Sequence, residues 1–369
     1  MKAIILAAGK GERMRPLTDY KPKSLLPICN KPLIEHLIDL LRGVGIEEIA
    51  VVVGYLKEKM MNCVRDVKFY EDKVIKGTAT ALYAARSFVD DDFILIYGDI
   101  FADISNFEKI IEEKNAIGVV EVEDVSKYGS VIFECGVLKE IREKRGHGRG
   151  FANAGIYHFS PSIFEFLDKK ESERGEYELT DAIQMLNERE KVKVVPLEGY
   201  WKDIGYPWDY IDANMYMLEK IGFSVGDNTE IWNSAIIRKP AVIGSDCKIK
   251  NCVIERSVVG NECTVGEFSV LKRSILMSKS NVPHLNYVAD SVIAEGCNLG
   301  AGTKIANLRF DDADVKVTIK GERVSSGRRK LGAIIGYNVK TGINVSIYPG
   351  VKISSGIWIE GGSLVRRDI

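Results

Sequence analysis

The chain has 369 residues, enough for two domains that each bury a core of their own. Its 51 basic and 52 acidic residues nearly cancel, so composition favours neither nucleic acid nor an anionic membrane surface as a partner. Apolar runs fall short of the roughly 18 residues that a membrane span needs. Seven scattered cysteines suit a reducing compartment, so we expect a cytoplasmic protein without disulfide or zinc sites.

The first predicted element is a buried strand over residues 3–6, which leads directly into Gly9-Lys10-Gly11. Two glycines at a strand end let several backbone N–H groups point at one spot, and such a concavity can hold phosphate oxygens. Arg15 and Lys23 then add positive charge nearby. A tight turn alone would also explain the glycines, but the basic residues favour phosphate binding.

Residues 1 to about 205 alternate strand-like and helix-like segments, which predicts a doubly wound, Rossmann-like mixed α/β sheet. We expect strands over 48–55 and 93–98, and a helix that opens at Gly77-Thr78. Ligands of open parallel sheets gather at the carboxyl ends of the strands. The first loop, the 77–78 turn and Asp99 should therefore share one cleft.

Two aspartates are candidate ligands for Mg²⁺. Asp99 follows a predicted strand, and Asp203 lies in the string Trp201-Lys202-Asp203-Ile204-Gly205. Either residue alone could be a helix cap or a turn former. Mg²⁺ is commonly bound by one or two carboxylates together with substrate phosphates, and this pair suits that role.

Several strings in this half of the chain, in order, resemble the sugar-1-phosphate nucleotidylyltransferase family. Besides the first loop and the two aspartate strings, they are Tyr128-Gly129-Ser130, Glu143-Lys144, Asn153-Ala154-Gly155-Ile156 and Glu178-Leu179-Thr180-Asp181. The resemblance implies nucleotide binding by Leu6, Ala8, Gly9, Gly11, Gly77 and Thr78, catalysis by Arg15 and Lys23, Mg²⁺ binding by Asp99 and Asp203, and sugar-phosphate binding by Gly129, Glu143, Lys144 and Asn153. Some relatives have a glutamine before the Gly-Thr turn that reads the pyrimidine. This chain has none there, so UTP and dTTP both remain candidates.

After a predicted linker helix over 206–220 the pattern changes, because apolar residues recur about every six positions from Val225 onward. This period is typical of a left-handed parallel β-helix with three short strands per coil. Two segments, 277–290 and 309–330, interrupt the pattern, and the second is rich in lysine and arginine. We therefore predict domains over residues 1–222 and 223–369.

The segment 277–290 contains His284-Leu285-Asn286-Tyr287, and Asn298 and Asn307 follow it. A lone histidine is more often structural, but this arrangement resembles the acetyltransferase domain of bifunctional enzymes that make UDP-N-acetylglucosamine. It is closer still to the archaeal fused nucleotidylyltransferase/acetyltransferases. The resemblance implies that His284 is the general base, that Tyr287, Asn298 and Asn307 bind the amino sugar, and that acetyl-CoA is the co-substrate. It also implies a homotrimer or a multiple of one, with sites between subunits.

The sequence therefore predicts a bifunctional enzyme. One reaction transfers a nucleoside monophosphate from UTP or dTTP to a hexose or N-acetylhexosamine 1-phosphate, and the other N-acetylates glucosamine or galactosamine 1-phosphate. Two alternatives remain. In one, the β-helix serves only oligomerisation or regulation. In the other, the chain is a non-catalytic interaction protein, against which the intact Arg15, Lys23, Asp99 and Asp203 argue.

Overall fold

The computed structural model describes residues 1–143, 146–168, 171–172 and 175–369. The chain forms two compact units. The first consists of Met1–Lys10, Pro22–Leu25 and Leu33–Asp203, and the second of Gly11–Lys21, Leu26–Pro32 and Ile204–Ile369. Packing thus assigns the helix predicted over 206–220, and two stretches of the N-terminal segment, to the second unit. The domain boundary after residue 222 stays a prediction.

One helix begins at Thr78 and another spans Pro207–Ile221, as the sequence predicts. The helices of the described residues are α1 (Leu33–Gly43), α2 (Lys57–Cys63), α3 (Thr78–Ala84), α4 (Ile104–Ile111), α5 (Leu179–Arg189) and α6 (Pro207–Ile221). Within the part of the chain that the structure describes, none of these helices is long and apolar enough to cross a membrane.

Among the residues that the structure describes, thirteen strands precede α6. They are β1 (Lys2–Ala7), β2 (Pro27–Ile28), β3 (Lys31–Pro32), β4 (Glu48–Val53), β5 (Lys68–Glu71), β6 (Phe93–Tyr97), β7 (Ile100–Ala102), β8 (Ala116–Val122), β9 (Gly129–Glu134), β10 (Val137–Glu143), β11 (Gly150–Phe159), β12 (Lys193–Pro196) and β13 (Trp201–Asp203). Nine of them form one mixed sheet in the order β5-β4-β1-β6-β11-β8-β12-β10-β9.

The central strand β1 is buried on both faces of this sheet. It lies between two parallel partners, β4 and β6. Its residues Ile4 and Leu6 join one apolar cluster, and Ala3 and Ile5 join the cluster on the opposite face. Successive strand side chains point to opposite faces, so a run of apolar residues is what such a strand requires. The predicted α/β mixed sheet is confirmed.

The carboxyl ends of β1 and β6 approach each other closely. The backbone N–H of Gly98 donates to the carbonyl oxygen of Leu6 at 2.8 Å. A Cβ atom at position 98 would lie 2.8 Å from that same oxygen and 2.9 Å from the hydroxyl of Ser24. Only glycine fits here, and Asp99 follows it directly, before the short strand β7.

The second unit contains many short parallel strands after α6. These are β14 (Phe223–Val225), β15 (Glu230–Ile231), β16 (Ile236–Ile243), β17 (Lys248–Ile249), β18 (Val253–Val259), β19 (Thr264–Val265), β20 (Val270–Lys272), β21 (Ile275–Leu276), β22 (Asn281–Val282), β23 (Tyr287–Ala289), β24 (Val292–Ile293), β25 (Asn298–Leu299), β26 (Lys304–Ile305), β29 (Ile334–Ile335), β30 (Lys340–Thr341), β31 (Ser346–Ile347), β32 (Lys352–Ile353), β33 (Trp358–Ile359) and β34 (Leu364–Val365), with an antiparallel hairpin of β27 (Lys316–Ile319) and β28 (Glu322–Ser325).

These parallel strands stack in columns, coil upon coil. One column runs β15-β17-β19-β22-β25-β30-β33, and two others are joined through the long strand β18. Stacked partners such as Lys248 and Thr264, or Thr264 and Asn281, are 16 and 17 residues apart. Three repeats of about six residues, each a short strand and its turn, therefore make one coil, and their apolar residues fill a single interior cluster. The predicted stack of parallel coils is confirmed.

The prediction that residues 277–290 interrupt the coil is wrong. Asn281 pairs with Thr264, and Tyr287 pairs with Val270, so both strands continue their columns. Val282 and Val288 are fully buried and keep the six-residue spacing. The interruption at 309–330 is real, because β24 pairs across it with β29 and the inserted chain forms the β27–β28 hairpin.

Replacing a residue of the coil interior should destabilise the second unit. Ile254 is fully buried, whereas Ile236 in a neighbouring strand is 52% exposed. We expect Ile254→Ala to lower the free energy of unfolding by about 2–5 kcal/mol because it leaves a cavity. Ile236→Ala is the matched control and should change stability far less. Thermal unfolding followed by circular dichroism measures both, and equal midpoints would contradict the inward assignment of Ile254.

Candidate functional site

In the first unit, the predicted residues Lys23 and Asp99 form an ion pair. The Lys23 ammonium donates to the Asp99 carboxylate, and both side chains are largely shielded from solvent. Lys23 opens a short 3₁₀ turn over Lys23–Leu25, and Asp99 follows the Gly98 contact with Leu6. The backbone approach of β6 to β1 therefore brings an acid and a base from distant parts of the sequence to one strand end.

Asp203 reaches the same edge through a two-stranded sheet. In the antiparallel pairing of β13 with β7, Asp203 lies opposite Ile100, the residue that follows Asp99. The indole N–H of Trp201 donates to the carbonyl of Ala154 at 2.8 Å and ties β13 to β11. The register places the two predicted Mg²⁺ ligands near each other.

These two carboxylates suit Mg²⁺, which takes oxygen ligands and usually keeps positions for substrate phosphates and water. In the described ranges, no group of three or more His, Cys, Asp or Glu side chains has the arrangement of a metal site. A cation held by Asp99 and Asp203 would complete its shell with substrate oxygens. The donor set fits a metal that arrives with a nucleotide.

The predicted nucleotide-binding residues of β1 and its loop lie beside this pair. The carbonyl of Leu6 accepts from Gly98, and the carbonyl of Ala8 accepts from the N–H of Tyr55 at 3.0 Å. Gly9 is exposed, and apart from Gly9 itself and its two chain neighbours no heavy atom of the described residues lies within 4 Å of the place where its Cβ would be. The backbone of this loop is therefore held by hydrogen bonds at Leu6 and Ala8 and is exposed at Gly9.

Gly77 and Thr78 open helix α3 through a turn that requires glycine. Gly77 has φ +112°, and a Cβ there would lie 2.4 Å from the carbonyl oxygen of Tyr177. The hydroxyl of Thr78 accepts from the N–H of Leu179 at 2.9 Å. The turn is therefore held against the start of α5, and α5 itself begins inside the predicted Glu178-Leu179-Thr180-Asp181 string.

Three predicted sugar-side residues converge. A Cβ at Gly129 would lie 3.1 Å from the Glu143 carboxylate and 3.5 Å from the Cβ of Asn153. The β9–β10 register pairs Glu143 directly with Gly129. The absence of a side chain at position 129 therefore leaves room beside the carboxylate. The fourth predicted residue, Lys144, lies outside the described residues.

Two tyrosines that the sequence did not single out connect these groups. The amide of Asn153 donates to the Tyr157 hydroxyl at 2.7 Å. Tyr157 is hydrogen-bonded in turn to Tyr97, and Tyr97 to Thr78. Burial raises the pKa of both tyrosines, so both hydroxyls stay protonated. Their signal was a tyrosine in each of two buried strands, which apolar packing explains equally well.

The other two predicted residues of the nucleotide loop belong to the second unit. Gly11 has φ +62° and precedes a 3₁₀ turn over Glu12–Met14, and Arg15 follows that turn. The Arg15 side chain is 53% exposed, and its Nε lies 4.0 Å from a carboxylate oxygen of Asp19. An exposed guanidinium beside a single carboxylate can contact phosphate oxygens.

In the coils of the second unit, His284 has an acidic partner that the sequence reasoning missed. Its Nδ1 lies 2.9 Å from a carboxylate oxygen of Glu267, and the imidazole is 57% exposed. A hydrogen bond from the Glu267 backbone and the charge of His284 lower the pKa of Glu267, so its carboxylate is ionised at neutral pH. Glu267 lies 17 residues before His284, which is the separation of Thr264 from Asn281. The coil repeat could have predicted this pair.

The three predicted amino-sugar residues occupy different places on the coils. Tyr287 lies in β23, between Val270 and Lys304 in one column, whereas Asn298 lies in another column beside Asn281. Asn307 donates to the Asp290 carboxylate at 2.6 Å.

Asp290 is nearly buried, and burial raises its pKa, although Arg273 lies 3.2 Å away. Because Tyr287 and Asn298 lie in different columns of the coils, a single chain presents them on separate faces.

Comparison with known proteins covers the whole chain. The Nucleotidyl transferase family model matches residues 2–220, and the GMPPB C-terminal domain model matches residues 231–330. The solved structure of a UDP-glucose pyrophosphorylase complexed with UDP-glucose has a TM-score of 0.52 and 25% identity, over 59% of this chain and 98% of that one.

Two curated relatives match from end to end. "Bifunctional protein GlmU" of Methanocaldococcus jannaschii is 43% identical over 100% of this chain and 96% of its own length. The "Bifunctional sugar-1-phosphate nucleotidylyltransferase/acetyltransferase" of Sulfurisphaera tokodaii is 43% identical over 100% of this chain and 98% of its own length. Such identity over both units shows that the chain belongs to the archaeal family of bifunctional sugar-1-phosphate nucleotidylyltransferase/acetyltransferases.

Proposed function

We propose that this chain is a bifunctional enzyme of nucleotide-sugar synthesis. It transfers a nucleoside monophosphate from UTP or dTTP to a hexose or N-acetylhexosamine 1-phosphate, and it N-acetylates glucosamine or galactosamine 1-phosphate with acetyl-CoA. The observation that carries the two-site proposal is the His284–Glu267 pair, at 2.9 Å on the coils. A coil that served only oligomerisation or regulation would not need an exposed histidine with an acidic partner.

In the nucleotidyl transfer, an oxygen of the sugar 1-phosphate attacks the α-phosphorus of the triphosphate. A new P–O bond forms, and pyrophosphate leaves. The substrates supply both the nucleophile and the leaving group, so the protein contributes positioning and charge neutralisation. Lys23 lies against the reacting phosphates, and Arg15 stabilises the triphosphate. Asp99 and Asp203 would hold Mg²⁺, which would supply neutralisation of phosphate charge.

The sugar and base occupy the rest of the first unit's cleft. Glu143 accepts hydrogen bonds from sugar hydroxyls, and Gly129 leaves the room for them. Asn153 orients the sugar with its amide, whose direction is fixed by the Tyr157 hydroxyl at 2.7 Å. Lys144 binds the sugar phosphate. The glycine turn at Gly77 and Thr78 presents backbone groups to the pyrimidine.

In the acetyl transfer, the amine of the amino sugar attacks the thioester carbon of acetyl-CoA. The C–N bond forms, the C–S bond breaks, and the departing CoA thiolate takes up the proton that the amine has given to His284. His284 accepts the amine proton as general base. Because the Glu267 carboxylate accepts a hydrogen bond from Nδ1, it holds the tautomer whose Nε2 is the basic nitrogen. Tyr287, Asn298 and Asn307 bind the amino sugar.

The coils are proposed to form a left-handed β-helix and to assemble as a trimer or a multiple of one. Tyr287 and Asn298 lie in different columns of a single chain. A site that uses both residues is completed most simply when faces of two neighbouring chains meet. A cytoplasmic location remains the prediction made from cysteine usage.

Asp99→Ala should abolish nucleotidyl transfer, because it removes both a proposed Mg²⁺ ligand and the partner of Lys23. We expect at least a hundredfold loss in the rate of pyrophosphate release from UTP or dTTP. Acetyl transfer should be unchanged. Asp91→Ala, at an exposed aspartate, is the control. Normal turnover by Asp99→Ala would exclude the metal assignment.

His284→Ala should show the reverse selectivity. Loss of a general base typically costs about 10²–10⁴ in rate, so release of CoA from acetyl-CoA with glucosamine or galactosamine 1-phosphate should nearly stop. Nucleotidyl transfer by His284→Ala should continue at the wild-type rate. The control His147→Ala, at an exposed histidine, should also keep the wild-type rate of nucleotidyl transfer. If the wild-type protein makes pyrophosphate but releases no CoA with either amino sugar, the coils are not an acetyltransferase.

Glu267→Gln should lower kcat for acetyl transfer about tenfold, because the ring of His284 loses a charge-assisted hydrogen bond. KM for acetyl-CoA should stay constant, and the substitution should have no further effect in the His284→Ala background. Glu262→Gln, in the same coil, is the control, since Glu262 is exposed and lies 3.7 Å from Lys279. An unchanged kcat in Glu267→Gln would show that the pair has no catalytic role.

A further inference from the structure

The segment Gly11–Lys21 is a compact series of turns within the second unit. Met14 donates from its N–H to Gly11, and Leu17 to Met14, at 2.9 and 3.0 Å. The Thr18 hydroxyl closes the segment by donating to the Gly11 carbonyl at 2.9 Å. Met14, Leu17 and Thr18 are completely buried. The segment that carries Arg15 is therefore a built structure rather than a loose loop.

Three successive coils of the same unit meet this segment at one corner, which we call the coil corner and define as Glu295, Tyr337 and Ser355. Backbone hydrogen bonds stack these positions, because Asn338 donates to the carbonyl of Glu295 and Gly356 to that of Tyr337. The backbone hydrogen bonds between successive coils therefore hold the three residues of the coil corner in fixed positions relative to one another.

Each residue of the coil corner holds a different residue of the segment. The Tyr337 hydroxyl is buried and donates to the carbonyl of Leu17 at 2.8 Å. The Ser355 hydroxyl donates to Asp19 Oδ2 at 2.7 Å. Glu295 forms an ion pair with Lys21.

The backbones are also in close contact there. A Cβ at Gly336 would lie 2.9 Å from the Cβ of Pro16. Pro16 follows Arg15 directly in the chain, so the coil fixes the backbone next to the arginine.

The contacts of Asp19 lead to Arg15. Oδ2 of Asp19 accepts from Ser355, and Oδ1 is the oxygen that lies 4.0 Å from Arg15 Nε. Lys352 is close by: burial lowers its pKa, the charges of Asp368 and Asp19 oppose that shift, and the charge of Arg15 adds to it. The Asp19 carboxylate therefore interacts with two cations, Arg15 and Lys352. The hydrogen bond from Ser355 fixes the plane of that carboxylate.

We propose that Tyr337 and Ser355 are positioning residues for nucleotidyl transfer, which they support by fixing the backbone and the carboxylate that orient Arg15. The inference rests on the proposed role of Arg15 toward the triphosphate. Arginine has several rotatable bonds, so ordering its side chain costs conformational entropy. A group that stabilises developing phosphate charge is effective only when it is oriented beforehand. Residues more than 300 positions away in sequence supply that orientation.

The test compares Ser355→Ala and Tyr337→Phe with Ser354→Ala, whose side chain is exposed beside Ser355. We expect the first two variants to lower kcat for pyrophosphate release about tenfold, as loss of a hydrogen bond to a charged or buried group typically does. KM for the sugar 1-phosphate should not change. Acetyl transfer, which reports on the folding of the coils, should stay at the wild-type rate, and Ser354→Ala should resemble wild type in both reactions.

Double substitution with Arg15→Ala separates positioning from general destabilisation. If Ser355 acts through Arg15, the change Ser355→Ala should have no further effect on single-turnover rates in the Arg15→Ala background. Two results would overturn the inference while leaving the proposed function intact. One is a wild-type kcat in both Ser355→Ala and Tyr337→Phe. The other is that Ser355→Ala lowers the single-turnover rate as much in the Arg15→Ala background as in the wild type. Normal nucleotidyl transfer by Arg15→Ala would instead refute the proposed role of Arg15, and the inference with it.

Discussion

Both proposed sites depend on the fixed register of parallel strands. In the first unit, the hydrogen bond from Gly98 to Leu6 aligns the ends of β6 and β1. In the second unit, stacking at 16 or 17 residues places side chains of successive coils above one another. Register is set by buried backbone hydrogen bonds and apolar side chains, which are costly to shift by one residue. Functional side chains from distant parts of the sequence can therefore be held at one edge of a sheet.

Much of this arrangement was predictable because strand ends have a fixed meaning in an α/β sheet. Asp99 and Gly77 follow or precede elements whose apolar runs are visible in the sequence, so the expectation that they share one cleft follows from the sequence. The polar connections inside that cleft could not. Tyr157 is fully buried, and its hydroxyl finds Asn153 only through the irregular register between β11 and β8. Periodicity predicts burial and leaves the hydrogen-bond partner undetermined.

The error at residues 277–290 has a related cause. A six-residue period is easy to follow when every inward residue is isoleucine or valine and a glycine marks each turn. Here Pro283 and the exposed Leu285 obscure the period, although Val282 and Val288 preserve it. Recognising the continuous coil would have placed His284 one coil above Glu267. The acidic partner was thus missed through the same misinterpretation of the repeat.

The N-terminal segment shows a limit of a different kind. Gly11–Lys21 resembles a nucleotide-binding loop in sequence, yet its buried residues and its anchors belong to the unit that contains the coils. Local motifs point to Arg15 as the proposed reactive residue, but they do not show which residues support it. The hydroxyls of Tyr337 and Ser355 are unremarkable in the sequence, since a tyrosine and a serine at coil turns suit any solvated corner. The contacts of these two hydroxyls become visible only in the structure, where the coil corner packs against the segment Gly11–Lys21. If that support is lost, the arginine remains but is no longer held in place, and a nucleotidyl site that looks intact in sequence would work slowly.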